Sequence, residues 1–137
     1  MKKTSLFSVL LFLSIISFSQ NTSQMTPEQI VQENLDFYNN RNIDGFMSSF
    51  SEEIKMYNHG DSTPTVVGKN QVRKVYSQLF EKSPKLHSTI LKRIVIGNKV
   101  IDHESITGRN GNKEILELVL IYEVANQKIN RITVIRK

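Results

Sequence analysis

HSTILKRIVIGNKVIDHESITGRNGNKEILELVLIYEVANQKINRITVIRK, His87 to Lys137, is the stretch that decides the fold. Gly97-Asn98, Asn110-Gly111 and Asn126-Gln127 each stand between runs rich in Ile, Val, Leu, Thr and Tyr. That is the pattern of consecutive antiparallel strands joined by tight turns. The spacing predicts four strands, over about 87–96, 99–108, 114–124 and 128–136. The segment Ile101 to Glu104, IDHE, puts three ionisable groups in the middle of an otherwise apolar strand, which makes it the first place to look for chemistry.

Upstream the apolar period becomes helical. After a polar tether, Thr26, Pro27 and Glu28 supply an N-cap, a first-turn proline and an acid that complements the helix dipole. Ile30, Val31, Asn34, Leu35, Phe37 and Tyr38 form one stripe, ended by Asn39-Asn40-Arg41-Asn42. Ile43 to Phe50 fits a short second helix with Asn42 or Asp44 near its cap, and Ile54 to Asn58 alternates as a strand leading into the loop His59 to Pro64. A third helix follows Gly68, with Val72, Val75, Tyr76, Leu79 and Phe80 on one side and Lys69, Arg73, Lys74 and Lys82 on the other. Ser83-Pro84 stops it. Helices followed by a bent antiparallel sheet is an α+β arrangement, with the helices against one face of the sheet.

Within the 137 residues, 1–19 reads as a secretory signal peptide. Lys2 and Lys3 precede an apolar run from Leu6 to Phe18, and Ser17 and Ser19 occupy the small-residue positions of a cleavage site. That run, about 13 residues, is short of the roughly 20 that span a bilayer. The remainder divides into a tether at 20–25 and one domain at 26–137. There is no cysteine, so a lipid-modified N-terminal cysteine and a disulfide framework are both excluded. Removing Lys2 and Lys3 lowers the formal net charge from +5 to +3. The basic residues are dispersed rather than stacked with exposed aromatics, so a nucleic-acid surface is not indicated. The expected location is periplasmic or secreted, with no membrane association after cleavage.

A two-residue turn at Gly97-Asn98 pairs Ile96 with Lys99, Val95 with Val100, Arg93 with Asp102 and Leu91 with Glu104. Arg93, Asp102 and Glu104 then share a face with Val95, Leu91, Val100 and Ile106. An Arg opposite an Asp keeps buried charge paired and leaves the second carboxylate available. The alternative is that this face looks outward and the charges are solvated cross-strand pairs. His103 points the other way. Glu117 depends on the Asn110-Gly111 joint: a two-residue loop sets it opposite Glu104, and a three-residue loop including Asn112 puts Leu118 there. Tyr57, Asn58 and His59 are further polar candidates, with Asn58 on the parity of Ile54 and Met56. His59, His87 and His103 lack metal-ligand spacing, so no metal or cofactor is expected.

TPEQI (Thr26–Ile30), NIDGFMSSFSEEIKMY (Asn42–Tyr57), VVGKNQVRKVYSQLF (Val66–Phe80) and IYEVANQKINRITVI (Ile121–Ile135) come in an order that resembles nuclear transport factor 2 and its relatives, the SnoaL-like polyketide cyclases and steroid delta-isomerases. The resemblance covers about Thr26 to Arg136. It implies an NTF2-like cone: a strongly bent antiparallel sheet with about three N-terminal helices packed on its concave face. It also implies that the Arg93, Asp102 and Glu104 parity faces the inside of the cone, and it favours the three-residue loop that turns Glu117 outward. In ketosteroid isomerase an Asp base works with a Tyr and a protonated Asp. Carried over, the base position falls at Asn58, the oxyanion acid near Leu120 and the oxyanion Tyr between Glu33 and Phe37, where no Tyr occurs. The resemblance therefore carries the fold to this chain without that mechanism.

Two functions follow as expectations. One is an exported binder of a small, largely apolar molecule, with Arg93, Asn58, Tyr57, His59, Leu118, Leu120, Tyr122 and Ile132 around the ligand. The other is an isomerase, cyclase or lyase in which Glu104 or Asp102 moves a proton next to a carbonyl. Ile94, Ile96, Ile101, Ile115, Val119 and Ile121 form an apolar row on the opposite face, which points to a homodimer.

Overall fold

The computed structural model describes residues 23–137, so the leader reading and the first part of the tether lie outside the described residues. Helix α1 spans Pro27–Asn39, α2 Ile43–Ser48 and α3 Lys69–Lys82. The strands are β1 Phe50–Asn58, β2 Val66–Val67, β3 His87–Ile96, β4 Lys99–Thr107, β5 Leu116–Ala125 and β6 Lys128–Arg136, in the sheet order β2-β1-β6-β5-β4-β3. The meander β3 to β6 is antiparallel, as its turns require. The sheet as a whole is mixed, because β1 lies parallel to β6. It is curved and unclosed, and the helices fill its concave side.

Local chemistry fixes the helix ends. The Thr26 hydroxyl accepts from the Gln29 N–H at 3.2 Å while Gln29 Oε1 accepts from the Thr26 N–H at 2.8 Å, a reciprocal cap for α1. Asn42 caps α2, accepting from the Gly45 N–H at 3.0 Å. Gly45 allows the close approach of α1, because a Cβ at that position would clash with the Phe37 ring and force it to move. The predicted second helix ran to Phe50. It stops at Ser48, and Phe50 opens a β1 that is longer than the expected strand. On α3, Val75 was expected in the buried stripe but is exposed, being one step off the side that carries Val72, Leu79 and Phe80. Tyr38, Phe46, Phe50, Tyr76 and Phe80 contact one another at ring-centroid distances from 4.6 to 6.3 Å and weld the helices together.

Register controls what enters the cone. From the Gly97-Asn98 turn the pairs run Ile96 with Lys99, Val95 with Val100 and Arg93 with Asp102, as predicted. A bulge between Ile90 and Lys92 then overturns the expected pairing of Leu91 with Glu104. Ile90 takes that position, and Leu91 becomes the extra residue, 53% exposed. Beyond the bulge the parity of β3 is inverted, which turns Ser88 inward. The β4–β5 connection is longer than either predicted loop, since pairing ends at Ile106 with Leu116, yet it sets Leu118 opposite Glu104 and turns Glu117 outward. There Glu117 meets His103 at 2.7 Å. Ile115 lies outside β5, in this connection.

Candidate functional site: a buried carboxyl in the cone cavity

The concave face carries two carboxyls two residues apart on β4, and the fold gives them different surroundings. Asp102 has no exposure; Arg93 Nε donates to Oδ1 and Nη2 to Oδ2, both at 2.7 Å. Arg93 Nη1 also donates to Gln32 Oε1 of α1 at 2.9 Å. The fork-on-carboxylate geometry satisfies both oxygens of Asp102 and ties β3 and β4 to α1.

Glu104 is 3% exposed and has no cation in contact. The Ser88 hydroxyl donates to Oε2 at 2.6 Å and the Tyr122 phenol to Oε1 at 3.3 Å. Ser88 is itself held by Asn39 at the end of α1: the Ser88 N–H donates to Asn39 Oδ1 at 2.7 Å and Asn39 Nδ2 donates to the Ser88 carbonyl at 2.9 Å. Burial pushes the Glu104 carboxyl from its ordinary 4.5 up to about 7, against the opposing pull of the Ser88 hydrogen bond. Burial, reinforced by Glu104, also holds the Tyr122 phenol well above its usual range.

Glu104 opens onto a cavity of about 140 Å³. Leu116, Leu118, Leu120, Tyr122, Ile132 and Val134 line it. Tyr38 and Tyr76 close the helical side, and Arg109 and Arg136 complete the wall. Arg93 and Asp102 share the inner face with Glu104 but are not among the lining residues, since each is engaged by the other. Asn58 has the inward parity but sits at the strand end, where it donates to Asp61 and accepts from Arg136. Tyr57 faces outward beneath the Arg131 guanidinium, 3.9 Å from its ring centroid. His59 is exposed in the turn after β1. Among the described residues no group of three or more His, Asp or Glu side chains has positions that could hold a metal ion.

Sequence reasoning missed Ser88, Tyr38, Tyr76, Arg109 and Arg136 as site residues. Tyr38 and Tyr76 were legible as apolar-stripe positions, and Tyr38 lies one residue past the window in which a family oxyanion Tyr was sought. Arg136 stands in the same cross-strand row as Leu118 and Glu104, but a bulge at Asn130 of β6, between the Val124–Ile129 and Glu123–Arg131 pairs, shifts the hairpin count. Ser88 had no signal apart from the β3 bulge.

The chain matches the family described as SnoaL-like domain over residues 31–132, and it belongs to that family. No curated protein matches it in sequence. Solved structures share the fold at low identity. A cystatin-fold protein from Novosphingobium aromaticivorans superposes with a TM-score of 0.74 at 20% identity, over 82% of this chain and 99% of that one. An NTF2-like protein from Cytophaga hutchinsonii gives 0.70 at 16% identity, over 85% and 94%. An LEH-like epoxide hydrolase from M. tuberculosis gives 0.67 at 12%, over 81% and 82%. The chain is thus an NTF2-like cone of the SnoaL-like type.

Proposed function

We propose that this protein binds a small, largely apolar molecule inside the cone, and that it does so outside the cytoplasm. The observation that carries the binding reading is a cavity of about 140 Å³ walled by Leu116, Leu118, Leu120, Ile132 and Val134, with one hydrogen-bonded carboxyl set into it. Apolar walls supply affinity and the few polar groups fix orientation. A cavity of this size matches the roughly 150 Å³ that admits benzene into an apolar protein interior, so the ligand body is about one six-membered ring. Ligand-observed NMR with single-ring fragments tests this: binding to the wild type should vanish in Leu120→Trp, which fills the cavity. Equal binding to both proteins refutes the reading. Export rests on the Lys2-Lys3 and Leu6-to-Phe18 arrangement. Mass spectrometry of the native protein should find an N-terminus within a few residues of Gln20, and an intact Met1 refutes export.

A second reading has its own support. A carboxyl titrating near 7 at the wall of an apolar cavity is suited to move a proton next to a carbonyl. Asp102, the other acid considered, has both oxygens committed to Arg93, which leaves Glu104 for that role. Exchange of the α-protons of cyclohexanone into D2O should be accelerated by the wild type and not by Glu104→Gln. Equal rates with both proteins refute the catalytic reading and leave binding.

A further inference from the structure

The lining residues that retain exposure mark where the cavity opens. Asn34, Phe46, Glu104 and Tyr122 are buried, Tyr76 and Arg109 are half-buried, and Arg136 is exposed. Two guanidiniums therefore stand at the mouth. Among the described residues, Lys69, Arg73, Arg93, Lys99 and Arg131 each have a carboxylate within ion-pair distance, whereas Arg109 and Arg136 have none. The side-chain partner of Arg136 is the neutral Asn58 amide. Both arginines line the same cavity, and both oppose the burial that raises the Tyr76 phenol in it.

The backbone carrying both arginines is fixed by local structure. Arg109 follows Gly108, whose φ of +69° and close approach to the Lys85 backbone exclude a side chain. The next turn is pinned by the Asn110 N–H donating to Ser83 Oγ at 2.8 Å. Arg136 is paired across the sheet with Leu118, the residue opposite Glu104. A row of Glu104, Leu118 and Arg136 thus runs from the wall of the cavity to its mouth, with the acid and the guanidinium kept apart by an apolar side chain. Planar guanidiniums whose side-chain partners are neutral, Asn58 for Arg136 and the Tyr38 phenol for Arg109, keep their charge uncompensated and match a planar anion.

We propose that the ligand is a small monocarboxylate, with its carboxylate held at the mouth by Arg109 and Arg136 and a ring-sized apolar body inside against Leu118, Leu120 and Ile132. This rests on the reading that the cavity takes a small molecule. It narrows that reading to a charge and a head-out orientation. A dianionic head fits less well, because Glu104 lies in the same row and would be a second negative charge facing it when ionised.

Isothermal titration with benzoate, the isosteric neutral benzamide and phenyl phosphate decides it. Benzoate should bind more tightly than benzamide by about tenfold or more, the value of a hydrogen-bonded charge pair over its neutral counterpart. Arg136→Gln and Arg109→Gln should each weaken benzoate by about tenfold and leave benzamide unchanged, while Arg136→Lys keeps most of the benzoate affinity. Arg136 is exposed, so its substitution leaves folding intact even if Arg109→Gln perturbs the turn. Benzamide binding as tightly as benzoate overturns the carboxylate proposal while the cavity reading stands. Phenyl phosphate binding more tightly than benzoate overturns it in favour of a phosphate. Absence of binding by all three removes the cavity reading and this proposal together.

Discussion

Replacing Glu104 by Gln should remove a specific part of the pH dependence of stability. The Glu104 carboxyl is raised to about 7 in the folded protein from an ordinary 4.5, chiefly by burial. Below about pH 4.5 it is protonated in both states and costs nothing. Between about 4.5 and 7 the unfolded chain ionises while the folded protein keeps its proton, so unfolding releases a proton and stability falls as pH rises. At about 1.4 kcal/mol for each unit of difference, the loss reaches about 3 kcal/mol and is complete above about pH 7. Gln keeps the shape, with its oxygen accepting from one of the Ser88 and Tyr122 hydroxyls and its amide N–H donating to the other, yet cannot ionise. Urea melts of both proteins at pH 4.5 and pH 8 provide the assay, and titrations common to both cancel in the comparison. Relative to the wild type, Glu104→Gln should gain about 3 kcal/mol on going from the lower to the higher pH, with unchanged m-values. A relative change below about 1 kcal/mol would mean that the carboxylate is solvated inside the cavity, and the argument from burial would fail.

Arg93→Leu strips the counter-charge from a fully buried Asp102 and should cost about 3–5 kcal/mol by urea melting, whereas Arg93→Leu combined with Asp102→Leu should recover most of it. Gly108→Ala places a Cβ against the Lys85 carbonyl in a left-handed conformation and should lower stability by at least about 2 kcal/mol by the same assay. We propose that the outer face of the sheet joins two copies of the chain: Ile94 and Ile96 are 44% and 63% exposed there, beside Ile101, Val119 and Ile121. Light scattering at micromolar concentration should give a dimer that Ile121→Lys converts to monomer, and a monomeric wild type refutes it.

Much of the cone is legible because its signals are local. Thr26 and Pro27 announce α1, Ser83-Pro84 ends α3, and the turns at Gly97-Asn98 and Asn126-Gln127 announce hairpins within one residue of where they form. Asn126 and Gln127 both adopt positive φ, +50° and +61°, as a tight hairpin turn of that handedness demands. The bulges were not legible. Each adds one residue to one strand and inverts every later parity, and no residue in ILKR or INRI marks the insertion. The register of Arg93 with Asp102 could therefore be counted from its turn, while Ser88, beyond the bulge, could not. The parallel contact of β1 with β6 joins segments about eighty residues apart in the chain, beyond any hairpin rule.

The two carboxyls of β4 show why counting charged residues on a face does not locate a site. Asp102 and Glu104 have the same chemistry, the same parity and nearly the same burial. Their difference lies in β3. Arg93 lies on the turn side of the bulge and lands opposite Asp102, while the residue brought opposite Glu104 is Ile90, with Ser88 turned in beside it. One acid thus receives a guanidinium that satisfies both oxygens, and the other receives a neutral hydroxyl on one oxygen and a phenol on the other. The guanidinium compensates the buried Asp102 charge, while at Glu104 burial outweighs the two hydrogen bonds and raises the carboxyl to about 7. A ladder that kept Leu91 paired with Glu104 would instead set Ser88 opposite Thr107, turn it outward and take away that hydroxyl. A bulge of one residue in an edge strand thereby divides two like carboxyls into one committed to an ion pair and one held between two hydroxyls at the wall of the cavity.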